Sequence, residues 1–165
     1  MKVARIRVDE QVLEGEYEDG IVATDIGVFD TSTDEAELLA PCLPSAMYCV
    51  GRNFGEKVDQ MGYDVPDVPD FFIKPSVALH DPETPIRYPS FTDELTYAGE
   101  LAAVIGRPTH NIRPEEVESH VRGYTILNDL DCLDQERRTA RKTFNGSGPL
   151  GPCIDTEVDP VGLEM

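Results

Sequence analysis

Positive charge is what this chain has least of. Only 14 lysines and arginines, four of them lysines, stand against 32 aspartates and glutamates, for a formal net charge of −18 over 165 residues. The acids are spread through DEQVLEGEYEDG, TDEAE and RPEEVESH and form no terminal block. Such a surface repels phosphate backbones and anionic lipid, so neither nucleic acid nor a membrane is expected as a partner. Scarce lysine with abundant acid also resembles proteins of salt-loving organisms, with an ordinary acidic enzyme as the alternative.

Long apolar runs are missing as well. No stretch reaches the roughly 20 residues of a membrane-spanning helix, and MKVARIRVDE has none of the apolar core of a signal peptide, so a cytoplasmic address is expected. Cysteine pairing is a third absence. Cys42, Cys49, Cys132 and Cys153 show no CxxC spacing, and His80, His110 and His120 do not cluster near them. Buried free thiols are therefore expected, not a zinc site. No GxGxxG follows a strand, and GSGPLGP lacks the lysine and hydroxyl of a phosphate loop.

What is present suits one domain, or one with a small appendage, long enough to bury a core. KVARIRV, QVLEGEY and GIVATDIGVF alternate apolar and polar residues and predict antiparallel strands, a small N-terminal β segment and linker over 1–43. DTSTDEAELLAPCLP reads as linker with a short helix, and AMYCVG as a buried strand. NFGEKVDQMG predicts a short helix from Asn53 to a stop at Gly62. FFIKP is a strand stopped by Pro75, ALHDPETPIRYPSFTDE is irregular, and LTYAGELAAVIG is a strand. RPEEVESHV predicts a short helix opened by Pro114, GYTILNDL a strand, CLDQERRTARK a polar helix or connection, and TFNGSGPLGP a loop leading to CIDT. Strands outnumber helices and no βαβ alternation is visible. The expected class is α+β and strand-dominated, a mixed β-sheet roll with short peripheral helices.

Within LTYAGELAAVIG, strand alternation points Glu100 the same way as Ala98, Ala102 and Val104. A carboxylate on an apolar face is paired, protonated or metal-bound, unless the face is an edge that reaches water. Asp129 closes GYTILNDL, where a strand is expected to meet a loop, and Lys142 precedes the glycine-proline loop. Two hard oxygen donors beside a lysine suit Mg²⁺ or Mn²⁺ and an anionic oxo acid.

VGRNFGEKVDQMG, FFIKPSVAL, YAGELAAVIGR, GYTILNDL and KTF…GPLGP also follow the order and approximate spacing of the fumarylacetoacetate hydrolase family, which the chain resembles from about Tyr48 onward. The resemblance implies a β-sheet roll assembled as a homodimer, with Mg²⁺ or Mn²⁺ held by three carboxylates. It also implies hydrolysis, decarboxylation or isomerisation of small 2-oxo acids, diketo or dicarboxylic. Carried over by position, the metal acids are Glu100 and Asp129, while the third ligand position is Ala98. The substrate-side lysine is Lys142, which also stands among the catalytic candidates. Arg52 and Asn53 match the substrate-binding pair that opens the first segment. Lys57 holds the place of the catalytic histidine, Gln60 that of its glutamate partner, and Leu133 that of an arginine. With one acid fewer the cation is expected to bind weakly or not at all. Residues 44–165 thus read as a family domain truncated at the C-terminus. Its activity is expected to be weakened, the alternative being a non-catalytic paralogue or a partner subunit that uses the family dimer surface.

Overall fold

The computed structural model describes residues 1–53, 62, 64 and 67–163. Its strands are β1 (Lys2–Val8), β2 (Gln11–Glu18), β3 (Ile21–Ala23), β4 (Val28–Asp30), β5 (Glu37–Leu39), β6 (Ala46–Gly51), β7 (Asp70–Pro75), β8 (Leu79–His80), β9 (Leu95–Ile105), β10 (Val121–Cys132) and β11 (Gly148–Asp155). The strand-dominated class read from the sequence is the class of the structure. One sheet runs β4–β3–β2–β1–β11–β10–β9, with β5 added against β1 and β8 against β11. The β8–β11 pairing is parallel and the other pairings in this sheet are antiparallel, so the sheet is mixed. β6 and β7 form a separate antiparallel ribbon.

Alternation explains the first strands. Ala4 and Ile6 of β1 are fully buried and pack with Val22, Ala36 and Leu38 in one core cluster. A second cluster, Ala40, Met47, Ala78, Leu127 and Leu150, lies under the ribbon and joins it to β10 and β11. The N-terminal segment shares the sheet of the later strands: Lys2 pairs with Asp155 and Val3 with Ile154.

Several local expectations are corrected. DTSTDEAELLAPCLP holds no helix among its described residues. Its Glu37–Leu39 is a strand on β1, because burying Leu38 and Leu39 there also satisfies their backbone. GIVATDIGVF is two strands, split where Thr24 N–H and Oγ1 both donate to Gly27 O at 2.8 and 2.9 Å. AMYCVG is buried on one face only, since Tyr48 and Val50 point outward with Phe71 and Ile73. RPEEVESHV forms two 3-10 turns, Pro114–Glu116 and Glu118–His120. The strand of GYTILNDL continues to Cys132, which places Asp129 inside β10 and not at its end. GPLGP, expected as the end of a loop, opens strand β11, which runs on through CID. CLDQERRTARK contains one helical turn, α1 (Arg138–Lys142). The helix predicted over NFGEKVDQMG falls largely outside the described residues, and Lys57 and Gln60 with it. No described helix is long and apolar enough to cross a membrane.

Candidate active site

β9 is long, and its burial alternates from Thr96 to its end. Ala98, Glu100, Ala102 and Val104 face inward, as the sequence predicts, while Tyr97, Leu101 and Ile105 face outward. The register with β10 then fixes the site. Ala98 stands opposite Asp129, Glu100 opposite Leu127, and Thr96 opposite Asp131. Glu100 and Asp129 therefore share one face as diagonal neighbours on adjacent strands, a relation that sets Cα atoms about 7–8 Å apart. Glu100 is itself engaged by a neighbour.

Two ammonium groups meet Asp129, which is 6% exposed. Lys142 Nζ, at the end of α1, donates to Oδ2. Lys74 Nζ, from β7, forms an ion pair with Oδ1 at 2.9 Å without hydrogen-bond alignment. Lys74 is wholly buried. Its ammonium also donates to Lys142 O at 2.6 Å, Ser147 O at 2.9 Å, and Leu130 O and Ser147 Oγ at 3.3 Å. That set of acceptors ties β7, β10 and the 142–147 turn together. Gly146 in this turn has φ +73, and a Cβ there would lie 2.8 Å from the His80 ring, so the tight approach requires glycine. Asp131, the next inward acid on β10, takes both arms of Arg141 at 2.7 and 2.5 Å, and Lys142 at 3.3 Å.

Burial sets the proton equilibria here and the partners oppose it. It pushes the Lys74 ammonium below its ordinary range, against the pull of Asp129. It pushes the half-buried Cys49 thiol up to about 11, and Asp129 adds to that shift. Asp131 is the reverse case: burial favours its neutral form, but Arg141 and Lys142 together hold the carboxyl below its usual value.

Arg138 lies one turn before Lys142, and both cations sit against the Phe72 ring, at 5.8 and 5.1 Å from its centroid. Arg138 and Arg52 converge on Asp70. A shallow depression of about 390 Å³ lies here, lined by Phe71, Phe72, Ile73, Arg138, Thr139 and Thr143. Another flanks the far side of α1, by Phe91 and Phe144. Neither is lined by Glu100 or Asp129.

Of the residues singled out from the sequence, Glu100, Asp129 and Lys142 lie together. Arg52 reaches Asp70 and makes no described contact with Asp129, and Asn53 is exposed. Sequence reasoning missed Lys74, Asp131, Arg138 and Arg141. A signal for Lys74 was present: it is a lone lysine in a short apolar strand that alternation turns inward. All four cysteines are free thiols, and of them only Cys132 is fully buried.

Residues 46–165 match the family described as fumarylacetoacetate (FAA) hydrolase C-terminal. The chain is 34% identical over 133 residues, 76% of its length, to the mitochondrial oxaloacetate tautomerase fahd2 of Xenopus laevis, of which it covers 42%. It superposes on the 5-carboxymethyl-2-hydroxymuconate delta-isomerase of Mycobacterium smegmatis with a TM-score of 0.82 and 32% identity, over 97% of this chain and 68% of that one. With the fumarylpyruvate hydrolase of Pseudomonas aeruginosa, solved in complex with Mn²⁺ and pyruvate, the TM-score is 0.60 and the identity 30%, over 73% and 55% of the two chains. The chain spans about half the length of the curated relatives it matches.

Proposed function

Because the chain belongs to the fumarylacetoacetate hydrolase family, we propose that it acts on a small anionic 2-oxo acid by moving a proton beside the keto group. Isomerisation and tautomerisation are reactions of this kind, and they are favoured over C–C hydrolysis. The observation that carries this reading is the Lys142 ammonium set over the strand carboxylates, with Glu100 on the same face. As a proton leaves carbon, negative charge grows on the keto oxygen. A fixed ammonium that hydrogen-bonds this oxygen stabilises the charge where it develops, an effect worth about 10²–10³ in rate for a preorganised donor. Glu100 is the carboxylate placed to take the proton and return it. Relatives named as a tautomerase and a delta-isomerase support the reading. Hydrolysis would need an activated water, and Gln60, in place of the family glutamate, cannot accept a proton.

The family implies a divalent cation, and the fumarylpyruvate hydrolase carries Mn²⁺. The donors described in this chain do not fit a tightly held one. Ala98 offers only a methyl group opposite Asp129, and both Asp129 oxygens already meet ammonium groups. Among the described residues no three of His, Cys, Asp or Glu gather as a metal site. Glu100 and Asp129 would hold such an ion weakly, and the stabilising charge is supplied by lysine.

The test is the enol-to-keto conversion of oxaloacetate, followed by ultraviolet absorbance with and without Mn²⁺. The wild type is expected to accelerate it, with Lys142→Met and Glu100→Gln each losing about a hundredfold. A wild type that accelerates nothing under either condition sinks the reading. The non-catalytic role, favoured by the alanine facing Asp129, would then stand.

A further inference from the structure

Asp129 and Asp131 stand two residues apart on β10, and each oxygen of the pair is already met by a positive group. Lys74 Nζ lies 2.9 Å from Asp129 Oδ1, and Lys142 Nζ donates to Asp129 Oδ2. Arg141 covers Asp131, with Nε on Oδ1 at 2.7 Å and Nη2 on Oδ2 at 2.5 Å. Lys142 then reaches Asp131 Oδ2 at 3.3 Å and so bridges the two carboxylates. Three cations face two acids, and Glu100 on the same face brings the group to formal neutrality. A divalent ion added to this set meets no bare oxygen on either aspartate. Unless a resident cation leaves, it would also add two uncompensated charges where burial makes them costly.

Of the resident cations, Lys142 is the one able to yield. Lys74 is wholly buried, and its ammonium has four acceptors besides Asp129. Arg141 holds Asp131 through two parallel bonds, which a point charge does not match. The Lys142 side chain is 15% exposed, and its ammonium rests on the two carboxylates and against the Phe72 ring, 5.1 Å from the centroid. Its backbone is pinned from behind. Lys142 O accepts from Lys74 Nζ at 2.6 Å and from Ser147 Oγ at 2.9 Å, which fixes the stem that aims the ammonium.

We propose that the Lys142 ammonium is a resident counter-ion that closes Asp129 and Asp131 to divalent cations, so that a metal ion and Lys142 compete for the same carboxylate. This goes beyond the proton transfer proposed above and does not depend on it, because it concerns what occupies the carboxylates before any substrate arrives. Affinity for a divalent ion is then latent in this chain: the oxygens are present and one side chain covers them.

The test measures Mn²⁺ binding by calorimetry and by loss of the free-ion electron paramagnetic resonance signal. Salt at about 1 M, with a screening length of roughly 3 Å, suppresses loose association with the acidic surface. The proteins are the wild type, Lys142→Met, Lys142→Arg and Lys142→Met/Asp129→Asn, each checked for folding by its metal-free melting curve. Should Lys142→Met not fold, Lys142→Gln replaces it in the same comparison. The wild type and Lys142→Arg are expected to bind only weakly. Lys142→Met should bind about tenfold tighter or better, the scale of one hydrogen bond to a charged group. Its melting temperature should also rise with added Mn²⁺. The double variant should lose that gain, which locates the opened site at Asp129. A wild type that binds as tightly as Lys142→Met overturns the inference, as does a gain that survives Asp129→Asn or that Lys142→Arg shares. Turnover of oxaloacetate by the wild type is read separately, so the proposed reaction stands or falls on its own.

Discussion

Lys74→Met is the substitution that most directly probes how the site is held. The side chain is wholly buried, so its ammonium has exchanged water for five protein oxygens: those of Asp129, Leu130, Lys142 and the two of Ser147. Methionine fills much of the same volume but satisfies none of them. Breaking a buried ion pair from one side costs about 3–5 kcal/mol, since the remaining charge and carbonyls lose their partner. For a domain of this size each kcal/mol moves the melting temperature by roughly 2–4 °C, which gives a fall of roughly 6–20 °C. Urea unfolding should show the loss in the midpoint with an unchanged slope. The double variant Lys74→Met/Asp129→Asn should be less destabilised than the sum of the two singles, because the two groups share one interaction. The sign of the pH dependence is also set. Burial holds the Lys74 ammonium below its ordinary value of 10.5, so the unfolded chain binds that proton more readily. Wild-type stability relative to the variant should therefore rise as pH climbs from the lowered value toward 10.5. A loss under about 1 kcal/mol, or strict additivity in the double variant, would refute the caged-ammonium account.

Two further outcomes follow from the same geometry. Ala98→Glu places a carboxylate opposite Asp129, so millimolar Mn²⁺ should raise the melting temperature of this variant by several degrees and that of the wild type by much less; equal responses would show that Glu100 and Asp129 are not ligands. Asp70 is held down at about 2, first by Arg138 and then by Arg52, against an ordinary value of 3.8. Its contribution should be intact above pH 4 and lost as pH falls through 2, and acid melting curves of Asp70→Asn should lack that step.

The parts of the fold that were legible in the sequence are those where one local rule decides. The run of small and apolar residues in LTYAGELAAVIG read as a strand, and strand geometry then gave the inward face of Glu100, because a two-residue period leaves a side chain only two directions. β5 and the opening of β11 were hidden because partners distant in the chain, β1 and β10, make them strands. Glu37–Leu39 has no alternation of its own, and GPLGP carries turn residues. The site shows the same limit. Position beside an expected loop singled out Asp129 and Lys142, and resemblance gave them their roles. Lys74 and Asp131 become visible only when β7 is laid across β10, which no spacing in the chain announces.

Four of the fourteen basic residues fall within six consecutive positions, Arg137 to Lys142, on a molecule of net charge −18. A small anion diffusing toward such a molecule is turned away over most of its surface, and α1 with its threshold is the one dense strip of opposite sign along the sequence. Added salt shortens the reach of that repulsion to about 10 Å at 0.1 M and further above it. Encounter with an anionic ligand should therefore quicken as ionic strength rises, the opposite of the slowing seen where attraction guides the approach. For this molecule brine would act less as a stress than as a clearing of the path to α1.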